Sequence, residues 1–186
     1  MINPVIQTKR LILREWNSDD FDAFAAMNAD ARVMEFFPAI KTREESFAEY
    51  QAILDQFKTH QYGWWAVSEI GKNNFLGFIG IRYIDFPAAF TPAYEIGWRL
   101  TYDCWGKGYA TEGAKAALQY GFEVLQLPEI ISFTSTLNLR SMAVMEKIGM
   151  RRCPEDDFDH PKLPEGHRLR RHVMYRLSQD EWNSRL

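Results

Sequence analysis

Apolar and polar residues alternate with period two in some stretches of the chain and recur at helical spacing in others. Ile6–Glu15 alternates, Leu11 and Leu13 facing one way and Ile12 the other, which predicts a first strand. Ser18-Asp-Asp-Phe21 opens a helix, with acids at the positive end of the dipole. Thr42 and Glu45 have the spacing of a capping box, and the helix behind them places Phe47, Tyr50, Leu54 and Phe57 on one stripe. Trp64–Ile70, the turn residues Gly71-Lys-Asn-Asn74 and Phe75–Ile84 then predict a hairpin. Gly77 and Gly80 inside its second strand predict a bulge or a close backbone approach. Ala93–Leu100 predicts a further strand. Tyr94, Ile96, Trp98 and Leu100 share one face, and Glu95, Gly97 and Arg99 the other.

After Leu100 the pattern becomes strand–helix alternation. A helix is predicted over Gly108–Leu125, with Ala114, Leu118, Gly121, Phe122 and Leu125 inward. A strand follows at Ile130–Thr136, then a helix at Asn138–Ile148 capped by Asn138 and stopped by Gly149, and a short strand at Met150–Cys153. Residues 154–167 are rich in proline and acids and predict a long loop. Arg168–Leu177 alternates again. Its stripe of Arg168, Arg170, His172 and Arg176 predicts the wet face of an edge strand. Ser178 and Glu181 form a second capping box. The class is α/β with a mixed sheet, antiparallel in its first half and parallel across the Leu100–Thr136 crossover.

Composition narrows the function. The 186 residues suit one domain, and 46% apolar with 25% charged residues excludes disorder. A net charge of −3 argues against a general nucleic-acid binder. Apolar runs such as Phe75–Ile81 are too short to span a bilayer, and the N-terminal stretch lacks a signal-peptide core. The two cysteines, Cys104 and Cys153, make no disulfide framework, and the four histidines show no metal-ligand spacing. A cytoplasmic protein without a metal, a membrane or a nucleic-acid partner is expected.

The chemistry concentrates in Trp98-Arg-Leu-Thr-Tyr-Asp-Cys-Trp-Gly-Lys-Gly-Tyr-Ala-Thr-Glu112, which reads strand, glycine loop, helix start. Two glycines let successive amides converge, and a helix N-terminus adds positive potential, so the segment suits a phosphate or pyrophosphate. The plainer reading is a tight turn that needs glycine for its backbone angles. A P-loop requires GxxxxGK followed by Ser or Thr, which is missing. A dinucleotide fingerprint fails because Thr111 stands where its third glycine belongs.

Taken together, these segments resemble the GCN5-related N-acetyltransferases (GNAT), and most closely the branch that acetylates ribosomal-protein N-termini. The family's Gln/Arg-x-x-Gly-x-Gly/Ala motif falls on Trp105-Gly106-Lys107-Gly108-Tyr109-Ala110, with Trp105 where Gln or Arg is usual. Tyr94-Glu-Ile-Gly-Trp98 is similar to the family's fourth strand. Asn138-Leu-Arg-Ser141 with Glu146-Lys-Ile-Gly-Met150 is similar to its second cofactor motif, and Thr8–Arg14 to the branch's first strand.

The resemblance implies a single GNAT domain over residues 1–186, with about seven strands flanked by helices. It also implies acetyl-CoA as cosubstrate, held where the sheet opens between Leu100 and Ile130–Thr136. The pantetheine arm would pair with the backbone of Trp98, Arg99 and Leu100. The pyrophosphate would rest on Gly106, Lys107, Gly108, Tyr109, Ala110 and Thr111, beside Trp105. Lys107 reads equally well as a phosphate contact or a solvated charge. Asn138 either holds the pantetheine or caps its helix.

At pH 7 an α-amino group is neutral in roughly one molecule in ten, and a lysine amine in fewer than one in a thousand. A base is therefore useful, and the resemblance places it at Glu95, whose plainer reading is an ion pair with Arg99. The thiolate's proton would come from Ser141 or water, because Met145 stands where many members carry a tyrosine. Cys104 has no neighbouring histidine and reads as inert. Trp64, Trp65, the Pro38 region and Glu155–His160 are candidates to frame the acceptor, a peptide N-terminus or small-molecule amine attacked directly in a ternary complex. A non-catalytic acyl-CoA or nucleotide sensor on the same fold is the alternative, and a homodimer is compatible with either.

Overall fold

A tight hairpin, not one long strand, opens the chain. The computed structural model describes residues 6–185, so the first five residues of the stretch read for a targeting signal lie outside it. Strand β1 (Ile6–Gln7) turns back into β2 (Leu11–Arg14). The Thr8 hydroxyl drives the turn by accepting from the amides of Arg10 and Leu11 at 3.3 and 2.9 Å. Helices α1 (Asp20–Ala29) and α2 (Arg43–His60) follow. Thr42 and Glu45 complete both halves of the capping box at the start of α2. The buried side of α2 is Ser46, Tyr50, Ile53 and Phe57. Phe47 is 50% exposed and lies edge-on to Phe21 instead of joining the buried stripe.

Strands β3 (Trp64–Glu69), β4 (Gly77–Ile84) and β5 (Ala93–Leu100) form the expected antiparallel group. The close approach expected at the strand glycines is present. A Cβ at Gly77 would fall 2.1 Å from the Arg99 carbonyl, and one at Gly80 would fall 2.0 Å from that of Gly63. Helix α3 (Tyr109–Gln119) runs on into a π-helical turn at Tyr120–Val124. Then come β6 (Glu129–Ser135), α4 (Leu139–Lys147), β7 (Arg151–Arg152), β8 (Phe158–Asp159), β9 (Arg171–Ser178) and α5 (Gln179–Asn183).

All strands lie in one nine-stranded sheet ordered β1-β2-β3-β4-β5-β6-β9-β7, with β8 also on β9. The two beyond seven are the two-residue strands β1, split from the single strand expected over Ile6–Glu15, and β8, inside the expected loop. The only parallel pair among the described strands is β5 with β6. β9 is not an edge strand, contrary to the sequence reading, because β7 and β8 pair along its outer side. Its polar stripe is accordingly engaged. Arg176 reaches Glu129 and Asp156 at 2.6 Å each, and His172 lies among aromatic rings.

Helices cover both faces. Buried residues of α3 pack against β4 and β5 through Ala114, Ala117 and Leu118. On the other face, Trp16 and Phe24 pack near Phe78, and Arg14 donates to both oxygens of buried Asp20 at 2.7 Å. No helix among the described residues is long and apolar enough to cross a membrane.

Candidate active site

The parallel pair is hardly a pair. β5 and β6 share a single register pair, Glu95 with Ile131, and the Ser132 hydroxyl donates to the Ile96 carbonyl at 2.9 Å just beyond it. Past that point the strands part. Main-chain groups of successive residues point to opposite edges of a strand. The Thr101 amide bonds the Leu76 carbonyl on the β4 side, while the Ile96 carbonyl faces β6. By alternation, the amide and carbonyl of Trp98 and the amide of Leu100 face the gap. The Leu100 carbonyl is already taken by the Trp105 indole N–H at 2.9 Å.

Arg99 leaves that company. Its main chain turns toward β4, and its buried guanidinium crosses to α1, donating to Asn28 Oδ1 at 2.7 Å and lying 3.5 Å from Glu49. Phe37 and Phe78 sandwich it, with ring centres 4.2 and 5.1 Å from Cζ. Arg99 thus latches the loop between α1 and α2 onto β5. Arg99 nearby draws the Glu49 carboxyl below its ordinary range, against the burial that opposes it.

At the end of β5 the chain makes a short 3-10 turn at Tyr102–Cys104 and enters the glycine loop. Gly106 and Gly108 have φ of +72° and +80°, a region costly for other residues, and Gly108 is the N-cap of α3. A glycine brings no side chain to cap the helix, and the first α-helical amide bonded back is that of Glu112, to Gly108. The preceding amides of the first turn stand ready for an anion. Two guanidinium groups flank them. Arg10 lies 4.6 Å over the Tyr109 ring and donates to the Lys107 carbonyl, held by Glu112 at 2.6 Å. Arg140 lies 4.7 Å over the Trp105 ring and pairs with Glu35. Neither arginine was picked out from the sequence, since each reaches the loop from a distant element. Lys107 is exposed, and Cys104 is buried with its thiol 3.1 Å from the Thr101 hydroxyl.

The open strand edge, the amides at the start of α3 and the flanking arginines fit the successive parts of a CoA thioester: amide-bearing arm, pyrophosphate and further phosphate charge. Asn138 caps α4 by accepting from the Ser141 amide at 3.2 Å, and its NH2 donates to Thr134 at 3.0 Å. The Ser141 hydroxyl is half-buried with no hydrogen-bond partner among the described residues. Met145 is buried in the core.

Glu95 lies on the opposite face from Trp98, level with the last β5–β6 pair, and is 7% exposed. Its partner is not Arg99 but cross-strand Arg82, whose Nε and Nη2 both reach Oε2 at 2.7 Å, leaving Oε1 uncommitted among the described residues. Arg82 in turn lies 4.3 Å over the Trp64 ring, which stacks on Phe78 and runs beside Gly97. The Trp64 indole N–H is buried without a partner among the described residues. Trp65, proposed with it, is fully buried against Phe57 and Tyr120 and belongs to the core, because adjacent residues of a strand face opposite sides. In the acidic segment, Asp156, Asp157 and Asp159 are paired with Arg176, Arg152 and the Arg170–Arg171 pair.

The sequence hid one cluster altogether. Phe86, Phe90, Phe133, Phe158, His160 and His172 come from four separate segments and meet on the Glu95 face, with ring centres 4.7–6.4 Å apart between neighbours. Burial, helped by nearby His172, Lys162 and Arg82, pushes His160 down to about 4. Burial also lowers His172, against the Arg170 carbonyl and the charges of Glu95 and Asp159, which raise it. Both histidines therefore bind fewer protons folded than unfolded below the ordinary value of 6.5. Stability is complete above that pH and falls as the pH drops from about 6.5 toward about 4. The fall in urea midpoint between pH 7 and pH 5 should be smaller in His160→Phe than in the unsubstituted protein.

The sheet thus parts at the one parallel junction among the described strands, with a glycine loop at its mouth. Residues 10–151 match the acetyltransferase (GNAT) domain family, and the chain belongs to that family. It is 32% identical over 179 residues to YnaD of Bacillus subtilis, an uncharacterized N-acetyltransferase, covering 96% of this chain and 99% of that one. A GNAT-family acetyltransferase from Bacillus anthracis superposes with a TM-score of 0.78 at 30% identity, over 96% and 100% of the two chains. A spermidine N-acetyltransferase from Vibrio cholerae, solved with CoA and spermine, shares the fold at TM-score 0.72 and 18% identity, over 93% and 98%. The protein is thus an N-acetyltransferase.

Proposed function

We propose that the protein moves an acetyl group from acetyl-CoA to a primary amine, of a peptide N-terminus or a small molecule, by direct attack within a ternary complex. The observation that carries this reading is the single Glu95–Ile131 pair, beyond which the Trp98 main chain and the Leu100 amide line an open edge. Acetyl-CoA supplies the acyl group on a thioester. The Trp98 and Leu100 groups pair with the amides of its arm, as an added strand would. The amides from Gly106 to Thr111 take the pyrophosphate, with Lys107, Arg10 and Arg140 adding positive charge. A main-chain N–H at the strand end polarises the reacting carbonyl, an effect that needs no particular side chain. Trp105 anchors the loop, and Asn138 fixes the start of α4 so that Ser141 faces the sulfur. Ser141 or water then returns a proton to the thiolate. Glu95, with Oε1 free, draws the proton from the amine directly or through water.

The solved neighbour that holds both CoA and spermine supports pairing a CoA thioester with an amine on this fold. The test is release of free thiol from acetyl-CoA with phenethylamine, spermidine and a short seryl peptide as acceptors. Amine-dependent release with at least one of them is expected. None with any of the three overturns the reading.

A further inference from the structure

We propose that His172 is the proton acceptor of the site: its Nε2 receives the proton that Glu95 draws from the acceptor ammonium, so that the enzyme works on the charged amine. This rests on the transferase reading above. It begins from a tautomer. His172 Nδ1 lies 3.0 Å from the Arg170 carbonyl, and a carbonyl oxygen only accepts, so Nδ1 carries the hydrogen. In the neutral ring Nε2 then holds a lone pair, and it has no partner among the described residues. His160 has the opposite arrangement, because its Nδ1 accepts from the Lys162 amide.

Position makes that lone pair useful. His172 is opposite Ser135 at the C-terminal end of β6, and Glu95 is opposite Ile131 on the same face. By register the two share one face but stand four residues apart along the strands, about 13 Å, on either side of β6, so water over the face carries the proton between them. Phe133 and Phe158, with ring centres 6.0 and 5.4 Å from His172, keep its surroundings apolar. The charged and titratable groups facing it are Glu95 on β5 with Arg82 behind it on β4, Asp159 on β8, and His160, whose ring centre is 5.0 Å away. Lys162, Arg170 and Arg171 lie further along the same segments. The apolar surround lowers the imidazole's proton affinity, so at neutral pH the ring is uncharged and able to accept. An imidazole is also a stronger base than a carboxylate and can keep the proton while the amine reacts.

The proton count closes. The amine arrives as an ammonium, and one proton passes to Glu95 and on through water to His172 Nε2. The neutral nitrogen forms the C–N bond to the acetyl carbon as the C–S bond breaks, and the electron pair leaves with sulfur. The nitrogen's surplus proton ends on sulfur, giving the thiol. The imidazolium then releases its proton to solvent.

The test is the pH dependence of kcat/KM for the fastest of the three amines, in the unsubstituted enzyme and in His172→Phe, which keeps a ring of similar size. With a neutral enzyme base, the unsubstituted profile is flat from pH 7 to the amine's own pKa. Without it Glu95 cannot pass the proton on, so turnover needs an amine that arrives already neutral, and the variant's profile climbs tenfold per pH unit over that interval. At pH 7 the variant is slower by about tenfold for an α-amine and up to about a thousandfold for an alkylamine, in proportion to the neutral fraction. Should the phenylalanine variant fail to fold, His172→Gln is expected to show the same slope. A loss of packing alone would lower the profile without changing its shape, and parallel profiles overturn the proposal. So does an unsubstituted profile that itself climbs tenfold per unit. Either result leaves the transferase reading standing, whereas thiol release with none of the amines removes both.

Discussion

Glu95→Gln is expected to lower kcat at saturating acetyl-CoA by about a hundredfold, the lower part of the range for losing a positioned proton-transfer group. The substitution is nearly isosteric, and the amide oxygen can still accept from Arg82, which bonds only Oε2 in the native pair. What disappears is the negative charge and the basic lone pairs of Oε1. Arg82 is half-buried over Trp64 and keeps access to water, so its lost partner should cost little stability. Glu95 faces away from the edge presented by Trp98, so the dissociation constant for acetyl-CoA should move by less than about twofold. Steady-state rates and calorimetric titration on the same preparation separate the two quantities. Unchanged turnover would remove Glu95 from the reaction, and a large loss of cofactor affinity would make it part of the cofactor site instead.

Gly108→Asp should do the reverse. The N-cap of α3 is where the loop needs close approach, and a carboxylate there brings like charge to the pyrophosphate position. At an effective dielectric near 20, one unit charge about 6 Å from another costs about 3 kcal/mol. Part of that will be screened, and Arg10, 3.4 Å from an ideal Cβ at this position, will pair with the new group. A rise of about 30-fold in the acetyl-CoA dissociation constant is the expected outcome. Stability without ligand should hardly change. A non-glycine residue at φ of +80° costs about 1 kcal/mol, while a carboxylate at a helix N-terminus returns about as much. An unaltered dissociation constant would place the phosphates elsewhere.

The contrast between Glu95 and Arg99 shows where the sequence could be read. Strand alternation puts both on one face, and that held. Which partner each would take depended on elements far away in the chain. Glu95 found Arg82 across the hairpin, a pairing set by register. Arg99 found Asn28, 71 residues earlier, because α1 and α2 cover that part of the sheet. The glycine loop was legible because it is local: two positive-φ residues and a helix start within a few positions. The aromatic and histidine cluster was not, because β8 is two residues long, too short to show a period, and lies inside the stretch that reads as a loop, while the short strand predicted at Met150–Cys153 gives no sign of its partner. Without β8 and the pairing of β7, β9 looks like an edge, and an alternating polar stripe on an edge strand reads as solvated. Trp64 and Trp65 illustrate the same limit on a smaller scale. Neighbours in sequence, they lie on opposite faces, one beside Gly97 and one in the core. Asn138 was legible as a cap from its position alone, and the structure uses it as one.

The central claim is that the splayed edge and the loop from Gly106 to Thr111 hold acetyl-CoA. The most direct measurement is the thermal midpoint of the unsubstituted protein alone and with acetyl-CoA, ATP or NAD at equal concentration. At a hundred times its dissociation constant a ligand stabilises the fold by about 2.7 kcal/mol, which for a domain of this size raises the midpoint by roughly 5–10 °C. The account predicts that rise with acetyl-CoA and none of comparable size with ATP or NAD. A midpoint that ignores acetyl-CoA but rises with either nucleotide would contradict it.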